Sequence, residues 1–289
     1  LRKVHNPFGS MDEITIRHLL SHSGGFRGGT WPWRNNKPWE PFEPTEWSQL
    51  VAMFPFTEVL FKPGTKFSYS NPGIIYLGRI IEEVSGEPYE AYIDKNILRP
   101  LGMHSSYFDT TPPHLLPHRS HSYFIREGKR SEGRFDADTG ITVSNSGLNA
   151  PVADMIKYLN FLLGSPPARG GEDAASADGV VGGGRVNYDT ILKRSSLEEM
   201  WQPALKAETD ANGNPGFTTD IGLIFFIDQS NGQKLIGHGG DQNGFISYIE
   251  FDPASKTASL FVLNTDVGGT QGSDLISGLR RSVRMISAN

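Results

Sequence analysis

The sequence predicts an α+β fold: an antiparallel sheet flanked by helices, in the manner of an α/β sandwich, plus a mostly helical subdomain with long loops. Two observations carry this. Up to residue 203, apolar residues recur at helical spacing, whereas beyond it the period shortens to that of strands. Short β-favouring runs at 221–227, 234–238, 245–251 and 257–264 are separated by the turn signals Ser230-Asn231-Gly232 and Asp252-Pro253, which predicts a meander. A last segment with Leu275, Ile276, Leu279, Val283 and Ile286 on one side predicts a helix over one face of that meander. The expected boundaries are 1–203 for the helical subdomain and 204–289 for the meander and its helix, the C-terminal half of an α/β subdomain.

The helical part divides as follows. Thr15 is an N-cap residue for a helix over 16–21, which Gly24-Gly25 ends. The aromatic, proline-rich stretch 31–44 predicts irregular structure. From Thr45, Trp47, Leu50, Val51 and Phe54 form an amphipathic stripe. A helix over 73–85 should bury Ile74, Leu77, Ile81 and Val84 and end at Gly86, and Pro88 opens another over 89–98. Asn149 can cap a helix that contains Met155, Ile156, Leu159 and Leu162. Residues 164–185, dominated by Gly, Ala, Pro, Ser and Asp, predict a flexible surface insertion. Ser195 or Ser196, each three residues before a glutamate, begins a short helix that stops at Pro203.

Composition narrows the function. A chain of 289 residues with 37% hydrophobic and 11% aromatic residues can bury a core. A net charge of −5 gives no electrostatic footprint for nucleic acid. The absence of cysteine excludes disulfides, thiolate zinc sites and thiol nucleophiles. No stretch approaches the roughly 18 apolar residues that a membrane span requires. Leu1 is no initiator methionine and no leader follows it, so the expectation is a longer gene product.

Three short motifs could carry chemistry. The first is Ile14-Thr15-Ile16-Arg17-His18-Leu19-Leu20-Ser21-His22-Ser23-Gly24-Gly25. The second is Pro63-Gly64 followed by Phe67-Ser68-Tyr69-Ser70-Asn71-Pro72-Gly73. The third is Gly237-His238-Gly239-Gly240, at the end of a predicted strand, with Gly244-Phe245 opening the next. Each is weak alone: Tyr69 and Asn71 would serve equally to cap a helix, and His238 to fill a strand. In order and context, together with Ile97-Leu98-Arg99-Pro100-Leu101-Gly102-Met103, they resemble the serine β-lactamase and D-Ala-D-Ala carboxypeptidase superfamily, penicillin-binding proteins included. The likeness is greatest to its class C and esterase-like branches and extends over residues 14–264.

The resemblance implies a β-lactamase/transpeptidase-like fold and acyl transfer, in which a serine attacks an ester, amide or D-peptide carbonyl and water later releases the acyl group. Tyr69 would shuttle the proton as general base and acid. Asn71 would hydrogen-bond the substrate's acyl side chain or a nearby lysine. His238 would orient the substrate's carboxylate or support Tyr69. Gly239 and Gly240 would let the substrate backbone lie along the strand edge, and the Asp241 N–H would donate to the oxyanion. The family nucleophile lies in an S-x-x-K motif, and no serine here has lysine three residues on. That motif, its helix and the strands before it are expected ahead of residue 1, where they would complete the fold. Histidine where class C enzymes carry lysine tilts the expectation toward an esterase, D-peptidase or amidase. No cofactor is implied. An extracytoplasmic location, periplasmic or secreted, follows from the family alone.

Two other readings compete. One is a catalytically silent relative that binds peptidoglycan-like or acyl ligands. The other is a histidine-based metal hydrolase, because His18 and His22 have the i, i+4 spacing of a zinc pair. No glutamate stands where a metalloprotease base is needed, and His114, His118 and His121 lie in a proline-containing loop, so the expectation is no metal. The glycines at 182–184 lack the Gly-Lys-Ser/Thr of a phosphate loop.

Overall fold

A computed structural model describes residues 1–28, 33–34, 37–38, 44–135, 138–165, 187–213, 216, 218–230 and 233–287. Helix α1 (Ile16–Leu20) starts where Thr15 predicts, with the Thr15 hydroxyl accepting the His18 N–H at 3.2 Å. Strands β1 (Trp33–Arg34) and β2 (Lys37–Pro38) pair antiparallel inside the stretch expected to be irregular, with proline at the end of the pair. Helix α2 (Trp47–Met53) starts two residues after Thr45, because Glu46 takes the N-cap position and the Gln49 carboxamide accepts its N–H at 3.2 Å.

Helix α3 (Asn71–Ser85) begins two residues earlier than its apolar pattern suggests, and Gly86 ends it at φ +71°. Its buried face is Ile75, Tyr76 and Gly78; Ile74, Leu77 and Ile81 are half-buried and Val84 is 84% exposed. Gly78 explains the rotation: a Cβ there would lie 2.5 Å from the Ser144 Cβ, so the helix turns its bare backbone to the neighbouring segment. Helix α4 (Tyr89–Ile93) follows Pro88 and continues as a π-helical turn, Asp94–Leu98.

Next come β3 (Tyr107–Phe108), β4 (Tyr123–Arg126), β5 (Lys129–Glu132), α5 (Val143–Ser146) and β6 (Leu148–Asn149). Asn149 pairs with Tyr107 in a two-stranded ladder and caps nothing; Pro151 precedes α6 (Val152–Leu163) instead. Ile156 on that helix is 48% exposed, while Leu159 and Leu162 are buried as expected. The predicted insertion falls outside the described residues from 166 onward. In α7 (Arg194–Met200) the cap position is Lys193, which puts Ser195 and Ser196 in the first turn.

The main sheet contains β7 (Leu205–Lys206), β8 (Asp220–Ile221), β9 (Phe226–Ser230), β10 (Gln233–Gln242), β11 (Phe245–Asp252) and β12 (Thr257–Leu263). Its order is β12-β11-β10-β9-β8-β7, antiparallel throughout. The run 221–227, expected as one strand, is broken by a turn in which the Gly222 N–H donates to the Phe225 carbonyl at 2.8 Å and Ile224 takes φ +71°. Strand β13 (Thr265–Asp266) leaves the main sheet to pair parallel with β4. Helix α8 (Gly269–Ser287) packs against β12.

Mixed helix and antiparallel sheet is therefore the observed class. The largest apolar cluster joins Leu159, Phe161 and Leu162 of α6 to Trp201, Phe225, Ile236 and Phe251, so the helical part and the sheet share a core. A second packs α1, α2 and α3 through Leu19, Leu50, Ile75 and Tyr76, with Phe54 of the turn after α2. The third is small: Phe67, Ala207, Ile221 and Phe226, with Tyr69 and Leu205 packed against it. It lies beneath the residues considered next. Helix α8 departs from its apolar pattern, for Leu275 is 44% exposed. Its polar side instead grips the sheet: Arg284 Nε donates to Glu250 at 2.7 Å, and Arg280 and Arg284 both reach Asp228, at 3.0 and 2.8 Å.

Candidate active site

Three segments that are far apart in sequence meet at Tyr69. The first is the turn after α1. There the chain passes through a left-handed residue, His22 at φ +50°, before Gly25 at φ +82°. Glycine is required at position 25, since a Cβ would lie 2.5 Å from Val59 and 2.9 Å from the Phe61 carbonyl. The second segment, 67–71, lies extended along this turn: the Ser68 N–H donates to the His22 carbonyl at 2.8 Å and the Ser70 N–H to His22 Nδ1 at 3.1 Å. The Ser70 hydroxyl accepts the Gly73 N–H at 3.2 Å. Ser70 thus caps α3, and neither Tyr69 nor Asn71 is used for that purpose.

The third segment is β10. His238 Nδ1 lies 2.6 Å from the carbonyl of Gly239 and therefore carries the proton as donor, leaving Nε2 as an acceptor. The His238 ring stacks on Phe226 at 4.6 Å and 11°. Tyr69 stands among these rings, 4.4 Å from His22, 6.2 Å from Phe226 and 6.3 Å from His238, centroid to centroid.

The surroundings these rings make for one another favour neutral groups. Burial pushes the His22 pKa down to about 3, with the neighbouring His238 adding to the effect. Burial also lowers His238, against its hydrogen bond to Gly239, and raises the phenol of Tyr69. Both imidazoles are therefore uncharged at neutral pH. The Tyr69 phenol holds its proton more firmly than a free tyrosine does.

Strand β10 outruns its neighbour. Its pairing with β9 stops at Gly237 opposite Phe226, while among the described residues 238–242 continue against β11 alone. Gly239 and Gly240 lie in this overhang; a Cβ at these positions would sit 3.0 Å from the Tyr248 ring and 3.1 Å from the Ser247 hydroxyl. Asp241 follows, exposed, opposite Ile246. Its carboxyl pKa is raised by partial burial and by Asp266, against the pull of Arg126.

Tyr69 and His238 are thus brought together, with Gly239, Gly240 and Asp241 continuing along the open strand flank. Asn71 joins the group through the chain, as the first residue of α3, with its N–H 3.4 Å from the Gly28 carbonyl. Sequence reasoning missed His22 and Phe226 as parts of this group. The spacing of His18 and His22 offers a metal pair and the resemblance implies a structural use of their segment; the His22 ring serves the 67–71 segment, whereas His18 Nδ1 accepts the Thr15 N–H at 3.3 Å. Among the described residues no group of three or more His, Asp or Glu side chains could hold a metal ion.

The family model for Beta-lactamase matches residues 6–278. Among curated proteins, the chain is similar to Beta-lactamase-like protein 4 of Dictyostelium discoideum, 25% identical over 285 residues, which cover 93% of this chain and 44% of the relative. It is also similar to penicillin-binding protein 4* of Bacillus subtilis (strain 168), 25% identical over 264 residues, 82% of this chain and 49% of that one. The chain thus spans about half the length, or less, of these two relatives. Among solved structures, the octameric penicillin-binding protein homologue from Pyrococcus abyssi aligns with a TM-score of 0.63 and 26% identity, over 87% of this chain and 52% of that one. A β-lactamase/D-alanine carboxypeptidase from Yersinia pestis shares the fold at a TM-score of 0.66 and 19% identity, over 98% and 72% of the two chains. With a match extending over most of its length and a fold that agrees, this chain belongs to the β-lactamase family.

Proposed function

We propose that the whole protein is a serine hydrolase that cleaves ester, amide or D-peptide bonds through an acyl-enzyme. The observation that carries this reading is the placement of Tyr69 against His22, 6.3 Å from His238, beside the unpaired flank of β10. On this reading Tyr69 takes the proton of the attacking serine and returns it to the leaving group. A free tyrosine is ionised only to roughly one part in a thousand at pH 7, and burial lowers that fraction further. A cation must therefore stand near the phenol, and both imidazoles are neutral. The lysine of an S-x-x-K segment meets that need while its serine supplies the nucleophile. No serine of this chain has a lysine three residues on.

His238, with its Nδ1 proton committed to Gly239, offers Nε2 as an acceptor. A neutral acceptor suits support of the Tyr69 hydroxyl better than capture of a substrate carboxylate, which needs a donor. That favours esters and amides over substrates held by a free carboxylate. Asn71 contacts the acyl side chain, the Asp241 N–H is one oxyanion donor, and Gly239 and Gly240 leave room for the substrate backbone.

The test is covalent labelling of the full-length protein. A fluorophosphonate or a penicillin should leave a one-to-one adduct, seen by intact mass, and Tyr69→Phe should slow its formation by roughly 100-fold or more. Unchanged labelling in Tyr69→Phe would remove Tyr69 from the mechanism. A folded wild-type protein that forms no adduct and turns over no ester would be a binding protein, the reading favoured if no S-x-x-K stands upstream.

A further inference from the structure

We propose that His22 is the positioning residue of this site: it clamps the backbone on both sides of Tyr69 and braces the ring, fixing where the phenol points. The inference rests on the reading of Tyr69 as proton shuttle. Two hydrogen bonds form the clamp. The carbonyl of His22 takes the Ser68 N–H at 2.8 Å and its Nδ1 takes the Ser70 N–H at 3.1 Å, so one residue grips both neighbours of Tyr69. Its ring then lies 4.4 Å from the phenol ring, tilted by 34°. The clamp is itself anchored. Ser68 Oγ donates to the Phe26 carbonyl at 3.2 Å, Ser70 Oγ caps α3, and the Gly64 N–H donates to the Ser23 carbonyl at 2.8 Å.

Two features set His22 apart from a packing residue. It is 1% exposed, and with Nδ1 used as an acceptor its proton lies on Nε2, a donor that finds no partner among the described residues. Leucine would avoid the unpaired Nε2–H but would leave the buried Ser70 N–H without its acceptor, so what the imidazole contributes is that acceptor, at a cost that packing alone does not justify. Its backbone also holds φ +50°, a sparsely populated region for a residue with a Cβ, in which histidine, asparagine and aspartate are enriched. The left-handed turn is what brings the carbonyl and the ring of one residue onto the same segment. Burial keeps the ring neutral, so that Nδ1 stays an acceptor through the physiological range.

The experiment compares His22→Leu with His22→Asn in the full-length protein. Asparagine tolerates the left-handed turn and offers Oδ1 near the place of Nδ1, whereas leucine removes the acceptor. In His22→Leu, kcat for ester turnover should fall by roughly 100-fold with KM changed by less than about threefold, and His22→Asn should recover to within about fivefold of wild type. A folded His22→Leu with wild-type kcat overturns the proposal, as does a folded His22→Asn as slow as the leucine variant. If His22→Leu does not fold, His22→Asn decides: activity within about fivefold supports the clamp, and a larger loss overturns it. If the wild type neither labels nor turns over, the hydrolase reading has failed and hydrogen exchange decides the clamp instead. The Ser70 amide should be protected in the wild type and in His22→Asn, and should exchange at least about tenfold faster in any folded variant without the acceptor. Equal protection with and without the acceptor, or protection lost in His22→Asn, overturns it.

Discussion

A buried neutral imidazole ties stability to acidity. His22 titrates near 3 in the folded chain, against an ordinary value of 6.5. Below 6.5 the unfolded chain takes up a proton that the native site refuses, so its contribution is intact above that pH and declines as pH falls toward 3. The slope is about 1.4 kcal/mol per pH unit, on the order of 2 kcal/mol between pH 7 and pH 5. His238, lowered in the same direction, adds to it. Urea denaturation at pH 7 and pH 5 should show this loss, and His22→Asn should flatten it. At this scale the sequence was legible where residues sit in motifs, as Tyr69, Asn71, His238 and the glycines after it do. His22 was not, because its use depends on a left-handed backbone and on a segment 48 residues away. The Gly24-Gly25 pair that follows marks a turn but not which preceding residue bends with it.

Among the elements, apolar periodicity located the helices and the meander but not every face or end. The inward side of α3 is set by Gly78 meeting α5, and a glycine is silent in an apolar count. The caps of α2, α6 and α7 are Glu46, Pro151 and Lys193, none of them the Ser, Thr or Asn expected. Strand β10 carries its own constraint at Gly237, where a Cβ would fall 2.2 Å from the Ile249 carbonyl. Gly237→Ala is therefore expected to cost roughly 1–3 kcal/mol, read as a lower urea midpoint with an unchanged slope. Helix α8 is fastened by charge: the Glu250 side chain is 6% exposed and is gripped by Arg284. Arg284→Met strands that carboxylate, with only Arg280, at 3.6 Å, to answer it among the described residues. The expected loss is about 3 kcal/mol by denaturant titration, and Glu250→Leu combined with it should recover part of the loss.

Over the whole molecule, the shift from helical to strand periodicity near residue 203 revealed the fold class, and the core common to both parts follows from α6 packing on the sheet. What the sequence could not disclose is that β10 runs five residues beyond its pairing with β9, because the turn at 222–225 that shortens β9 is hidden in a continuous apolar run. This overhang decides how a ligand would be read. On the proposed reading, an extended guest peptide laid along 238–242 would add one more rung to the ladder and would be gauged by its alternate amides, two rises of about 3.3 Å apart. N-methylation of a single guest amide on the facing side should then weaken binding by about 1 kcal/mol, roughly fivefold in an inhibition constant, while exchange of the flanking side chains changes it less.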